Sequence, residues 1–228
     1  VFSLFAILFV CTLDGYSMMN YRVPTKRAYV YFAAVTALCL IINSYIAVRW
    51  GSETLRMAIL FTIGLPYFLL ILLITNYKIS QTVFNFWLWI NVYGIISNFS
   101  AFIDDYTFKN EIMLTFLRLA MFLGYFVIYN RFLKKMHRRI MDKLDVNWWI
   151  FSYIPMFFTL LIYIINLYFK DFYGYTRNYP ILLVVHILML LVYILMFYTF
   201  KTVSESMEKQ NLAQSMNFLL YKSDAADE

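Results

Sequence analysis

Seven stretches of mostly apolar residues follow one another along this chain, separated by short polar links. They run over Val1–Met19, Ala28–Val48, Leu55–Tyr77, Thr82–Ile103, Ile112–Tyr129, Trp148–Tyr168 and Pro180–Phe200. A helix needs about 20 such residues to cross the hydrocarbon core of a bilayer, and each stretch comes within a few residues of that length. The first is the weakest, because Asp14 and Gly15 interrupt it. Only 14% of the residues are charged and 63% are hydrophobic, whereas a soluble domain carries roughly 25% charged residues. A soluble core of this size could not hide so much apolar surface, but a bilayer covers it. The sequence therefore predicts an all-α fold, a polytopic bundle of about seven transmembrane helices in the cell membrane. It shows no long loop, second soluble domain or internal repeat.

Orientation follows from the links, because cytoplasmic loops collect Lys and Arg. Arg22, Lys26 and Arg27 lie in the first link, Lys78 in the third, and Lys201 follows the last span. Arg131, Lys134, Lys135, Arg138, Arg139 and Lys143 crowd the fifth. The other links are neutral to acidic: Arg49 with Glu53, then Asp104, Asp105, Lys109 and Glu111, then Lys170, Asp171 and Arg177. The alternation predicts an N-terminus outside and a C-terminus in the cytoplasm. Trp50, Trp148, Trp149, Tyr168, Tyr173, Tyr175 and Tyr179 cluster at span ends, where amphipathic rings prefer the interface. Pro66 and Pro155 fall inside spans and are expected to kink them.

The net charge of +6 sits in the links, which argues against nucleic acid as a partner. The basic fifth link reads as an anchor to anionic lipid or a docking surface for a soluble partner. Cys11 and Cys39 form no spaced pair and suggest neither a disulfide nor a metal site. The first apolar run is already under way at Val1, so a preceding piece of chain is expected. No cleavage site suggests a signal peptide.

After Phe200 the hydropathy drops, yet the chain has no Gly or Pro through Lys222. Phe200, Val203 and Met207 share one helical face, as do Leu212, Met216 and Leu219. The step from Met207 to Leu212 breaks the register. Residues 1–200 are thus expected to form the membrane bundle and 201–221 a cytoplasmic helix that conveys movement or lies on the membrane surface. Residues 222–228 belong to a tail, "LLYKSDAADE", that is foreign to the pattern and resembles the translation of a sequencing adapter. The native chain is expected to run on past about Phe218.

The short-looped spans rich in Phe, Tyr, Ile and Leu, the basic fifth link and the stem "SESMEKQNLAQSMNFLL" carry a resemblance. The chain to about Leu220 resembles the membrane sensor region of the GHKL-type sensor histidine kinases of Gram-positive bacteria. These include the accessory-gene-regulator class of quorum-sensing receptors. The resemblance implies a homodimer, a peptide or other extracellular or membrane-borne ligand, and a response regulator as downstream partner. It also implies a phosphoacceptor histidine and a domain binding ATP and Mg, which this sequence does not contain: no His follows His186.

Ionisable and strongly polar groups inside spans face a bundle interior or a wet cavity. Arg118 and His186 each lie about six residues, or about 9 Å at 1.5 Å per residue, below the outer surface. Asn43 and Asn98 fall at a similar depth. Four spans thus place a polar group in one layer, which suggests a pocket open to the outside. The plainer alternatives are interhelical hydrogen bonds for the asparagines, packing for His186, and for Arg118 snorkelling or pairing with Asp104 or Asp105.

No catalytic residues are legible. The sequence has no His-Glu-x-x-His and no Gly-x-Ser-x-Gly, and Asp104 and Asp105 are adjacent and point to different helix faces. The Asn98 "NFS" acceptor pattern abuts or enters the membrane. No cofactor is expected in this chain. A transporter or permease subunit, and a seven-helix receptor of the G-protein-coupled type, remain the alternatives to a kinase sensor. The first lacks repeats, and the second lacks an Asp-Arg-Tyr run and an Asn-Pro pair.

Overall fold

A computed structural model describes residues 2–144, 146–168 and 179–224. Every regular element among them is helical: α1 (Phe2–Met18), α2 (Thr25–Ile59), α3 (Leu65–Ile74), α4 (Ile79–Thr107), α5 (Glu111–Ile128), α6 (Lys134–Lys143), α7 (Trp148–Tyr168) and α8 (Tyr179–Asp224). Two π-helical turns, Leu60–Gly64 and Tyr129–Leu133, join α2 to α3 and α5 to α6. The described residues make seven helical rods, because α2 breaks at Gly51 (φ 84°, ψ 171°). That backbone region is essentially reserved for glycine, and it turns the chain between the second and third apolar stretches. The acidic partner expected in this link, Glu53, has no described side chain.

Among the described residues, six helices are long and apolar enough to cross a membrane. The seventh rod, α1, has 17 residues, or about 26 Å at 1.5 Å per residue, slightly short of a ~30 Å hydrocarbon core. The sixth link (Lys170, Asp171, Arg177), the belt residues Tyr173 and Tyr175, and residues 225–228 lie outside the described residues. So do the side chains of Tyr168 and Tyr179.

Long apolar side chains such as Val48, Leu73, Val184, Ile194 and Leu195 stand exposed around the bundle. A monomeric soluble protein does not leave that much contiguous apolar surface to water. Inside, α4 is the axis: it packs against α7, α5, α1, α8 and α3. Close approach of α1 depends on Gly15, where an added Cβ would come 2.8 Å from the Trp89 indole. One residue earlier, Asp14 is buried and neither carboxyl oxygen has a hydrogen-bond partner.

Pro66 deprives the Thr62 carbonyl of its helical donor. The chain accommodates this with the π turn just before α3, and Asn43 of α2 supplies a compensating contact. The Asn43 amide approaches the Thr62 carbonyl at 3.5 Å and its Oδ1 accepts from the Thr62 hydroxyl at 2.7 Å.

The first, third and fifth links gather at one end of the bundle. The Asn76 N–H donates to the Asn20 carbonyl (2.8 Å), Arg22 Nε to the Leu73 carbonyl (2.7 Å) and Gln81 Nε2 to the Met141 carbonyl (2.7 Å). Arg22 thereby satisfies a carbonyl in the last turn of α3, which has no helical donor. The fifth link differs from a simple loop: α5, the π turn and α6 run on as helix to Lys143. The apolar face of α6 keeps it docked, with His137, Ile140 and Met141 buried. His137 is held on both ring nitrogens, by Tyr129 Oη (2.7 Å) and Asn85 Oδ1 (2.9 Å). Trp148 also departs from the interfacial role expected of it. It turns inward onto Phe84 and Phe200, while its neighbour Trp149 is exposed.

Candidate functional site

A cavity of about 240 Å³ opens between the π turn after α2, α4, α5 and α7. Its polar wall comes from α4 (Asn91, Ser97, Asn98), from α5 (Arg118) and from α7 (Thr159, Tyr163, Asn166). Ile90, Ile162 and Leu60 supply apolar wall. Asn91 and Asn98 are seven residues apart and so lie on one face of α4. On α7, Thr159, Ile162, Tyr163 and Asn166 repeat at the three-and-four spacing that lines up one helical face. The π turn lends a local irregularity of the kind often found at functional sites.

Arg118 and Asn98, both expected in a shared pocket, line this cavity. Arg118 Nε donates to Ser100 Oγ at 3.0 Å, and that hydroxyl also donates to the Ser97 carbonyl at 2.9 Å. His186 adjoins from the far side of Asn98. Its Nδ1 donates to the Leu182 carbonyl, and Nε2 lies 3.4 Å from Asn98 Nδ2. The crevice around that contact is about 10 Å³, no larger than a single water requires. His186 thus touches the cavity wall through Asn98 and the Gly94 backbone. Asn43 does not line it; its amide is engaged by Thr62 and by the Cys39 carbonyl (2.7 Å). Asp104 caps the α4–α5 turn, accepting from the Asn110 N–H at 3.3 Å, and Asp105 is half-buried beside it.

Asn91 was not singled out from the sequence, although it repeats Asn98 one heptad earlier. Its Nδ2 donates to Tyr193 Oη of α8 and to the Pro155 carbonyl of α7, both at 2.7 Å. Its Oδ1 accepts from Thr159 at 3.2 Å. With Asn98–His186 this makes two rungs from the cavity wall to α8. A third follows at the same spacing, where Phe84 and Phe200 meet with ring centroids 6.4 Å apart. Positions 84, 91 and 98 of α4 therefore face positions 200, 193 and 186 of α8. The seven-residue repeat is that of helices packed in a shallow supercoil.

No protein-family model, curated protein or solved structure is significantly similar to this chain.

The six basic residues of the fifth link divide by face. Arg131, Lys135, Arg139 and Lys143 are exposed. Lys134 is half-buried and donates to Asn130 Oδ1 at 2.9 Å, while Arg138 turns inward to the Met19 carbonyl at 3.4 Å. Arg139 and Lys143 both engage Glu208 of α8. The Lys143 and Arg139 contacts hold the Glu208 carboxyl below the ordinary 4.5. A carboxyl with a lowered folded value contributes its tie above its unfolded value and loses it as pH falls through the folded one. The α6–α8 tie is therefore expected intact at neutral pH and released only as the pH falls below the ordinary glutamate range. Spin labels at positions 142 and 211 should report a broadened distance distribution there, and a Glu208→Gln variant should show that broadening at neutral pH.

Proposed function

We propose that this chain is the sensing bundle of a multi-pass cell-membrane receptor. It crosses the membrane seven times, with its N-terminus outside and the basic end in the cytoplasm. A ligand enters the cavity and α8 passes the change inward. The observation that supports this best is the double rung from the cavity wall to α8. Asn91 and Asn98 each meet the cavity on one side and a hydrogen-bonding residue of α8 on the other. α8 then continues as one helix to Asp224, well past the apolar run that ends at Phe200. A change in how Asn91 or Asn98 is held must be absorbed by α8, because packed interfaces shift between discrete arrangements rather than deforming smoothly.

Arg118 and the cavity's amides suit a ligand with an anionic and hydrogen-bonding end, such as the C-terminal carboxylate of a signalling peptide. The volume admits such an end, not a whole peptide. The resemblance to the GHKL-type kinases extends this reading. Downstream would lie a phosphoacceptor histidine and an ATP- and Mg-binding domain, acting in a homodimer on a response regulator. The bundle itself would be the input stage.

The coding sequence past Phe218 tests the kinase assignment directly. An in-frame ATP-binding domain is expected, and a stop codon there would favour a transporter subunit or another receptor class. Orientation is tested separately. A cysteine in place of Arg139 should react with an impermeant maleimide only after cells are opened; reaction in intact cells would invert the topology.

A further inference from the structure

We propose that the groove between α6 and α8 is a discrete binding site for the phosphate headgroup of an anionic phospholipid. The groove measures about 530 Å³ and lies at the basic end of the bundle. Three cations line it, Lys135 and Arg139 from α6 and Lys201 from α8, against a single acid, Glu205. Lys201 and Glu205 stand 4.0 Å apart on exposed side chains, a pairing too loose to neutralise the site. Arg139 engages Glu208 through one nitrogen, and the planar guanidinium carries five N–H donors in all.

Ser204 supplies the second, independent observation. It lines the same groove, is only 5% exposed, and its hydroxyl has no hydrogen-bond partner. The neighbouring hydroxyls of α8 behave otherwise. Thr199 donates to the Leu195 carbonyl at 2.9 Å and Thr202 to the Tyr198 carbonyl at 3.0 Å. A buried hydroxyl left without a partner is costly, and a phosphate oxygen in the groove would satisfy it. Three ammonium or guanidinium groups and one hydroxyl form a charge-assisted donor set for such an anion.

The surroundings decide for a lipid rather than a soluble anion. Lys201 and Ser204 directly follow the apolar run ending at Phe200, which is where the headgroup layer begins. Phe132 and Met136 flank the cations, and Phe132 is 68% exposed. A soluble anion would leave that apolar flank in water, whereas an acyl chain covers it. A bound lipid would bridge α6 to α8 at the point where α8 leaves the bundle, beside the Glu208 tie. The site is separate from the outer cavity and stands whether or not that cavity binds a signal.

The purified chain, in nanodiscs of phosphatidylcholine doped with spin-labelled phosphatidylglycerol, provides the test. Labelled phosphatidylglycerol should be retained over labelled phosphatidylcholine. Replacing both Lys135 and Lys201 with Gln should lower that retention roughly tenfold or more, since each charge near an anionic surface adds to the attraction. Ser204→Ala, nearly isosteric, should lower it severalfold with the helical content unchanged. Replacing Lys26 and Arg27 with Gln removes equal charge at the same end and should leave retention within about twofold, since charge acts mainly within a Debye length. Equal retention of the two lipids would overturn the site. So would an effect of the Lys26 and Arg27 pair as large as that of the groove pair, or an unaltered Ser204→Ala. Displacement of the lipid by inorganic phosphate at comparable concentration would overturn the assignment to a lipid.

Discussion

Arg118→Ala is expected to abolish the response to the ligand proposed for the cavity while leaving protein abundance nearly unchanged. The side chain lines the cavity and reaches Ser100 Oγ. Ser100 keeps its own bond to the Ser97 carbonyl when the guanidinium is gone, so that hydroxyl is not orphaned. A ligand carboxylate loses its countercharge. Losing one partner of a desolvated charge pair costs about 2–5 kcal/mol, so sensitivity should fall by roughly a hundredfold or more. Arg118→Lys should restore part of it, because an ammonium keeps the charge but not the planar fork. Dose–response curves alongside quantitative immunoblots separate the two roles. A fall in abundance matching the lost response would make Arg118 a structural residue, and an unchanged dose–response would remove it from the site.

Asn91→Leu should be the most destabilising single change in the bundle, by about 3 kcal/mol. The amide joins three helices at once, holding Tyr193 of α8 and the Pro155 carbonyl and Thr159 of α7. Leucine leaves the Tyr193 hydroxyl without its donor and adds branched bulk where α4, α7 and α8 meet. An unsatisfied buried polar group costs about 1–3 kcal/mol, although single hydrogen bonds in membranes average nearer 0.6 kcal/mol; the steric misfit supplies the rest. Tyr193→Phe alone should cost about 1 kcal/mol. The double variant should fall short of the sum, as residues sharing a bond do. Detergent-induced unfolding followed by tryptophan fluorescence checks all three. Full additivity would show that the Asn91–Tyr193 rung carries no coupling.

Much of the fold is legible along the chain. Seven apolar runs fix where helices must form, because a spanning backbone has to satisfy its own hydrogen bonds. Glycine at position 51 marks the turn between two of them. Depth is what residue counting from the span ends offers: it places Asn43, Asn98, Arg118 and His186 in one layer, and two of these four, Asn98 and Arg118, line one cavity. Azimuth is not. A helix presents each residue at an angle set by how its neighbours pack, and hydropathy does not distinguish a face toward lipid from one toward another apolar helix. Asn43 has the right depth, yet its amide goes to Thr62, beside the break that Pro66 introduces. Asn91 stands seven residues before Asn98, an offset that by itself says nothing of what it meets. What makes it a junction is α8 lying antiparallel against α4, which brings Tyr193 within 2.7 Å. The sequence by itself determined where the apolar helices form and the uneven charge of their links, since these depend on local transfer free energies; that the fifth link continues as helix to Lys143 was decided by the docking of its apolar face. Only the tertiary structure decided which polar groups meet, because that depends on contacts between residues a hundred positions apart.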